Sequence, residues 1–176
     1  MATHPQPGDQ DRAIKFVTNP VTSRMAIKGH PLHPILIHFP VAALLGLVAT
    51  DLAWLWTGDS FWARAGLWLA GVGALGGWVS GFAGLVDLST VARVRRLVTA
   101  WCHAIMAVML LSLASLNWLL RLGDPAGVIW PWGLYLSLLT GGLIAITGFL
   151  GGKMVYEFAV GVDTRQAADK HHQINT

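Results

Sequence analysis

Seven histidines are spread through this 176-residue chain, and three of them crowd into GHPLHPILIHFP, Gly29 to Pro40, where His30, His33 and His38 alternate with prolines. A fourth, His103, stands in an apolar segment, AWCHAIM. Neutral imidazole is the commonest side-chain metal ligand. Three imidazoles with an open coordination position suit a Zn or Cu ion, whereas two imidazoles on neighbouring helices suit the axial positions of a haem iron. His30, His33 and His38 are close enough in sequence to form a compact surface cluster. His38 and His103 each fall a turn or two inside an apolar run and form the other candidate pair. His171 and His172, in the polar tail, read as solvated residues.

The elements that must position these rings follow from composition. The chain is 54% hydrophobic and 12% charged, too apolar for an ordinary soluble domain. Four runs, residues 35–56, 62–86, 97–120 and 132–152, are long enough to cross about 30 Å of hydrocarbon as helices. A β-barrel would show short alternating segments instead. The connections TGDS, STVARVRR and RLGDPAG are short, so neighbouring helices run antiparallel. The expectation is an all-α integral membrane protein, an up-down four-helix bundle spanning residues 29–162. Residues 1–28 read as a retained cytoplasmic extension without a signal-peptide core, and 163–176 as a polar tail.

Of 12 basic residues, only Arg64 and Arg121 fall on the side away from the termini. Both termini are therefore expected in the cytoplasm. The net charge of +3 needs no nucleic acid to explain it. Trp54, Trp56, Trp62, Trp68, Trp118, Trp130 and Trp132 gather toward the opposite side, as an interfacial belt does. Gly73, Gly77 and Gly81 on the second run, and Gly148 and Gly152 on the fourth, form flat strips for close helix packing. Cys102 is the single cysteine, which excludes an intrachain disulfide.

His38 and His103 enter their spans from the same side and lie at similar depth. Intramembrane ionisable groups are costly and usually face a partner in the bundle interior. Ala42, Gly46 and Ala49 follow His38 on one face and leave lateral room. Aligning the two spans on these histidines also matches Ala42 with Ala107 and Leu45 with Leu110, a faint echo of duplication. The expectation is a b-type haem held by His38 and His103, with Arg93, Arg95, Arg96 and Lys28 at the level of its propionates. Pro34 is expected in the first helical turn with His33 just outside it, and Pro40 inside the early helix. Asp51 reads as an interfacial residue of the first span, while Asp87, Tyr156 and Glu157 fall near the histidine level. Two other readings stand beside the cytochrome: a Cu, Zn or Fe ion on His30, His33, His38 or His103, and a non-catalytic accessory subunit, homo-oligomeric or part of a larger membrane complex. Whether the chain is an enzyme stays open.

The strings GHPLHPILIHFP, FWARAGLW, GLVDL, W-x-H at Trp101 and His103, NWLLR and GGKMVYEFAVGV resemble the bacterial membrane family catalogued as domain of unknown function twenty-two thirty-one. The resemblance runs from about Met25 to Val162. It implies four spans and bacterial origin. Relatives joined to c-type cytochrome domains imply a redox setting, with a quinone or c-type cytochrome as electron partner. The chain departs from the family pattern at Phe158 and Ala159, where His and Gly are expected. No catalytic residues carry over.

Overall fold

The computed structural model describes residues 21, 23–28 and 30–162. The extension and the tail otherwise lie outside the described residues, as do His4, His171 and His172. Four helical segments are long and apolar enough to span a membrane: Leu32–Thr57, Ser60–Thr90, Val98–Arg121 and Ile129–Phe158. With no water in hydrocarbon to satisfy backbone groups, helices that bond within themselves are the solution such a sequence adopts.

The first span is broken in two, α1 (Leu32–Leu36) and α2 (His38–Thr57), with Ile37 between them. Pro40 lacks the N–H that would bond Leu36, which accounts for the break. Pro34 and His33 both lie inside α1, so the helix starts earlier than the prolines suggest.

Gly58 ends α2 in the left-handed conformation, φ 67°, and donates to the Trp54 carbonyl. Asp59 then caps α3 (Ser60–Thr90) by accepting the Phe61 N–H at 2.8 Å. This tight turn folds α3 back along α2. A short helix, α4 (Ala92–Arg95), leads into α5 (Val98–Arg121). The next loop is stiffened by Asp124, whose carboxylate accepts the Ala126 and Gly127 N–H groups. A kinked turn, Ile129–Gly133, opens α6 (Leu134–Phe158).

The long helices close a ring in the order α2, α3, α5, α6, the up-down bundle expected. Leu44, Leu47, Ala70, Ala74, Leu110, Leu111, Ala114, Leu143 and Ile144 fill its centre. Large apolar side chains such as Phe82, Trp68 and Phe149 point outward to where lipid would lie. Helix approach depends on glycine: a Cβ at Gly73 would sit 2.5 Å from both Cγ and Cδ2 of Leu44.

A second apolar cluster, Val21, Leu88, Val94 and Ala100, closes the end that carries the termini. There Val21 bridges Val160 in parallel. Two two-residue strands, β1 (Ala26–Ile27) and β2 (His30–Pro31), pair antiparallel just ahead of α1.

Candidate functional site

The bundle interior holds two polar layers. Arg121 and His103 are both on α5, 18 residues apart, hence separated by about 27 Å along the axis. That is close to the thickness of the hydrocarbon slab, so the layers lie near its two edges.

The first layer pairs His103 with His33, not with His38. Their ring centroids are 6.2 Å apart and their planes perpendicular. His33 reaches inward from α1 and places Nδ1 2.8 Å from the Ser80 carbonyl and 3.2 Å from Ser80 Oγ on α3. His103 places Nδ1 2.9 Å from the Thr147 carbonyl on α6. A carbonyl only accepts, so each neutral ring carries its proton on Nδ1 and a lone pair on Nε2. Neither Nε2 has a hydrogen-bond partner among the described residues. Glycines make room for both rings: a Cβ on Gly84 would lie 3.1 Å from His33 Nδ1, and one on Gly151 3.4 Å from His103 Cε1.

Two apolar hollows meet at this pair. One, of about 390 Å³, lies between α3 and α5, walled by Trp78, Phe82, Leu85, Ala104 and Val108. The other, of about 300 Å³, lies between the first span and α6, walled by Ile37, Val41, Gly148, Gly151 and Val155. His33, Gly81, His103, Ala107 and Leu111 line both. Both hollows thus abut the ring pair, and the slot between the two rings lies where the α1/α2/α3 side meets the α5/α6 side.

The other expected ligands lie elsewhere. His38 is exposed and reaches only the margin of the second hollow. Because α1 begins at Leu32, His33 takes the inward position, and five residues on, His38 is rotated by about 140°. His30 is exposed and its Nδ1 sits 3.1 Å from the Lys28 carbonyl. The compact cluster of His30, His33 and His38 is therefore not assembled, and no group of three or more His, Cys, Asp or Glu suited to a metal ion occurs among the described residues. Arg93, Arg95 and Arg96 surround Val94, which lines the larger hollow at the terminal end. Arg95 donates to the Ser89 carbonyl at 3.1 Å, and Arg93 is half-buried. Cys102 is exposed.

The second layer corrects the interfacial reading of Asp51 and the placing of Arg121 as a loop-side charge. Both are fully buried, and they form a bidentate pair with both N–O distances at 2.8 Å. Ser137 donates to Asp51 Oδ2 at 2.6 Å, and Arg121 Nε donates to Asn117 Oδ1 at 2.9 Å. Asn117 in turn donates to Ser137 Oγ and the Gly133 carbonyl. Gly66 and Gly133 admit the guanidinium, since a Cβ on either would lie 2.9 Å from one of its nitrogens. The signal was available in the sequence: an acid inside a span demands a base at its depth, and Arg121 is one of two bases on that side. Closed to solvent and mutually satisfied, this layer staples α2, α5 and α6 and leaves no group free for chemistry.

No curated protein and no solved structure matches this chain. A family model does, over residues 29–164, which takes in all four spans and both polar layers, and the chain belongs to that family, described as predicted membrane protein DUF2231.

Proposed function

We propose that this protein is a b-type cytochrome-like electron-transfer module that holds one haem between His33 and His103. The observation that carries the reading is the pair itself: two imidazoles across a slot, each anchored through Nδ1 to a backbone carbonyl, with ring centroids 6.2 Å apart. A metal–imidazole bond is about 2.0–2.1 Å, and two such bonds plus half of each ring put the centroids roughly 6.4 Å apart. The Nδ1 bond to a carbonyl is the outer-shell contact that orients metal-bound histidines. Apolar hollows at both lateral ends suit the faces and edges of a flat macrocycle. Glycines at 81, 84, 148 and 151 keep its surroundings low.

Bound haem supplies reversible one-electron chemistry. In this reading Ser80 and Thr147 fix the two rings, and Val94, Leu88 and Val160 exclude water from the terminal end. Arg93, Arg95 and Arg96, at the terminal end, would hold the propionates of a bound haem. The concentration of basic residues around the termini supports cytoplasmic termini in a bacterial inner membrane. A quinone dissolved in the bilayer reaches this depth from the lipid side, whereas a c-type cytochrome must approach from an aqueous surface. Lone Cu, Zn or Fe ions fit less well, because two nitrogens fall short of the three or four protein ligands such sites take.

An absorption spectrum of protein purified in mild detergent, with metal analysis, tests the reading. The expected result is a low-spin six-coordinate haem that His33→Ala and His103→Ala each convert to high-spin or lose, while His30→Ala and His38→Ala leave it intact. Colourless, metal-free protein points instead to an accessory subunit, and low-spin haem unchanged in both His33→Ala and His103→Ala refutes the ligand assignment.

A further inference from the structure

At the end that faces the termini, the wall of the larger hollow is backed by a segment ahead of the first span. Its described residues are Val21 and Ser23–Lys28. Asp87 lies 27 residues past the start of α3, about 40 Å along it and so beyond the hydrocarbon. Its carboxylate gathers three donors from consecutive residues: Ser23 Oγ at 2.5 Å, the Arg24 N–H at 2.8 Å and the Met25 N–H at 3.2 Å. Such charge-assisted bonds are roughly twice as strong as neutral ones. Asp87 also lines the hollow.

On one side of this clamp, Val21 is buried against Leu88, Val94 and Ala100, and its carbonyl accepts the Gly161 N–H at 2.9 Å. On the other, the Met25 carbonyl accepts the Leu32 N–H at 2.8 Å, directly ahead of His33. Arg24, Ile27 and Lys28 are exposed, and the remaining holds on the segment are the short β1–β2 pairing and the Val21 N–H bond to the Ala159 carbonyl. Local opening draws on segments of this kind.

We infer that Val21 and Ser23–Lys28 form a strap that gates aqueous access to the His33–His103 slot, with Asp87 as its latch. This rests on where the slot lies and not on what it binds. Closed, the strap packs Val21 over Leu88, Val94 and Ala100, which line the terminal end of the hollow, and holds the start of α1. Without the Asp87 charge, three donors lose their anion, the strap lifts with Val21 away from Leu88, Val94 and Ala100, and water reaches the slot.

The test uses full-length protein in nanodiscs, with Cys102→Ser and a reporter, Ala107→Cys, on the shared wall of the two hollows. The readout is the labelling rate by a small charged methanethiosulfonate, which does not enter through lipid. Asp87→Asn is expected to speed labelling roughly tenfold or more, the ratio set by losing one charge-assisted hydrogen bond. A disulfide between Val21→Cys and Val160→Cys, bridged neighbours here, is expected to restore slow labelling in the Asp87→Asn protein. An unchanged rate in Asp87→Asn, or fast labelling that persists under the disulfide, overturns the gate. Because labelling is read without haem, its failure is distinct from failure of the cytochrome reading.

Discussion

Replacing Arg121 with Met while Asp51 remains strands a carboxylate in a fully buried site. Asp51 loses both 2.8 Å bonds to the guanidinium and keeps only Ser137. Asp51→Leu strands the guanidinium in the same way, with Asn117 as its remaining partner. Breaking a buried pair from one side costs about 3–5 kcal/mol, because the surviving charge has neither solvent nor partner. For a chain of this length that corresponds to a drop of about 6–20 °C in Tm. The double variant, Asp51→Leu with Arg121→Met, removes both charges. Asn117, Ser137 and the Gly133 carbonyl still satisfy one another, so its cost should fall to about 0–2 kcal/mol. Thermal unfolding of the four proteins in one detergent, followed by circular dichroism, closes the double-mutant cycle. Single variants within about 1 kcal/mol of the parent, or a double variant that loses the sum of the singles, would refute the view that a closed ion pair staples the three helices.

Two further stability measurements probe the packing. Gly73→Ala should cost about 1–3 kcal/mol, because the new methyl meets Leu44 at Cγ, which cannot rotate aside, as well as at Cδ2. Gly142→Ala, where a Cβ meets nothing within 4 Å, should be neutral or gain up to about 1 kcal/mol from helix propensity; equal losses at both positions would show that contact with Leu44 is not the cause. Ala159 caps α6 in the left-handed region at φ 51°, so Ala159→Gly should raise stability by about 1 kcal/mol in the same assay, and a loss would show that this methyl packs usefully.

The spans were legible because hydrophobic runs bounded by short polar turns leave a membrane helix little freedom; the TGDS connection folds as its Gly and Asp suggest. Phase was harder. Whether His33 or His38 faces inward depends on where the first helix starts, and the prolines in HPLHPILIHFP allow several starts. Aligning spans on His38 and His103 chose a pair matched in depth but not in azimuth. The structure resolves this through Ser80, whose carbonyl and hydroxyl capture His33, and a partner 47 residues away has no local signature. Asp51 and Arg121 are 70 residues apart, and only the rule that buried charge needs a partner connects them. The resemblance noted a departure at Ala159, and the left-handed cap explains why glycine is expected there.

The two polar layers differ in the property that decides which one does chemistry. Both sit near an edge of the hydrocarbon, and both are admitted by glycines on facing helices. In the Asp51 layer every side chain spends its polar atoms on another member, and the pair is net neutral and fully enclosed, so a reactant finds neither a free lone pair nor a path. The histidine layer spends only half of each ring. Nδ1 is fixed on backbone that cannot move without moving a helix, and Nε2 has no partner among the described residues, beside apolar hollows. A hydrogen-bonding side chain opposite either acceptor would match it. Trp78 shows that the bundle supplies such matches elsewhere, since its Nε1 donates to Ser115 Oγ at 3.0 Å across the α3–α5 gap. Two rings held rigidly by one nitrogen and left open at the other have the form of a ligand set, and that asymmetry is what supports the proposed haem site at His33 and His103, while Asp51 and Arg121 supply cohesion.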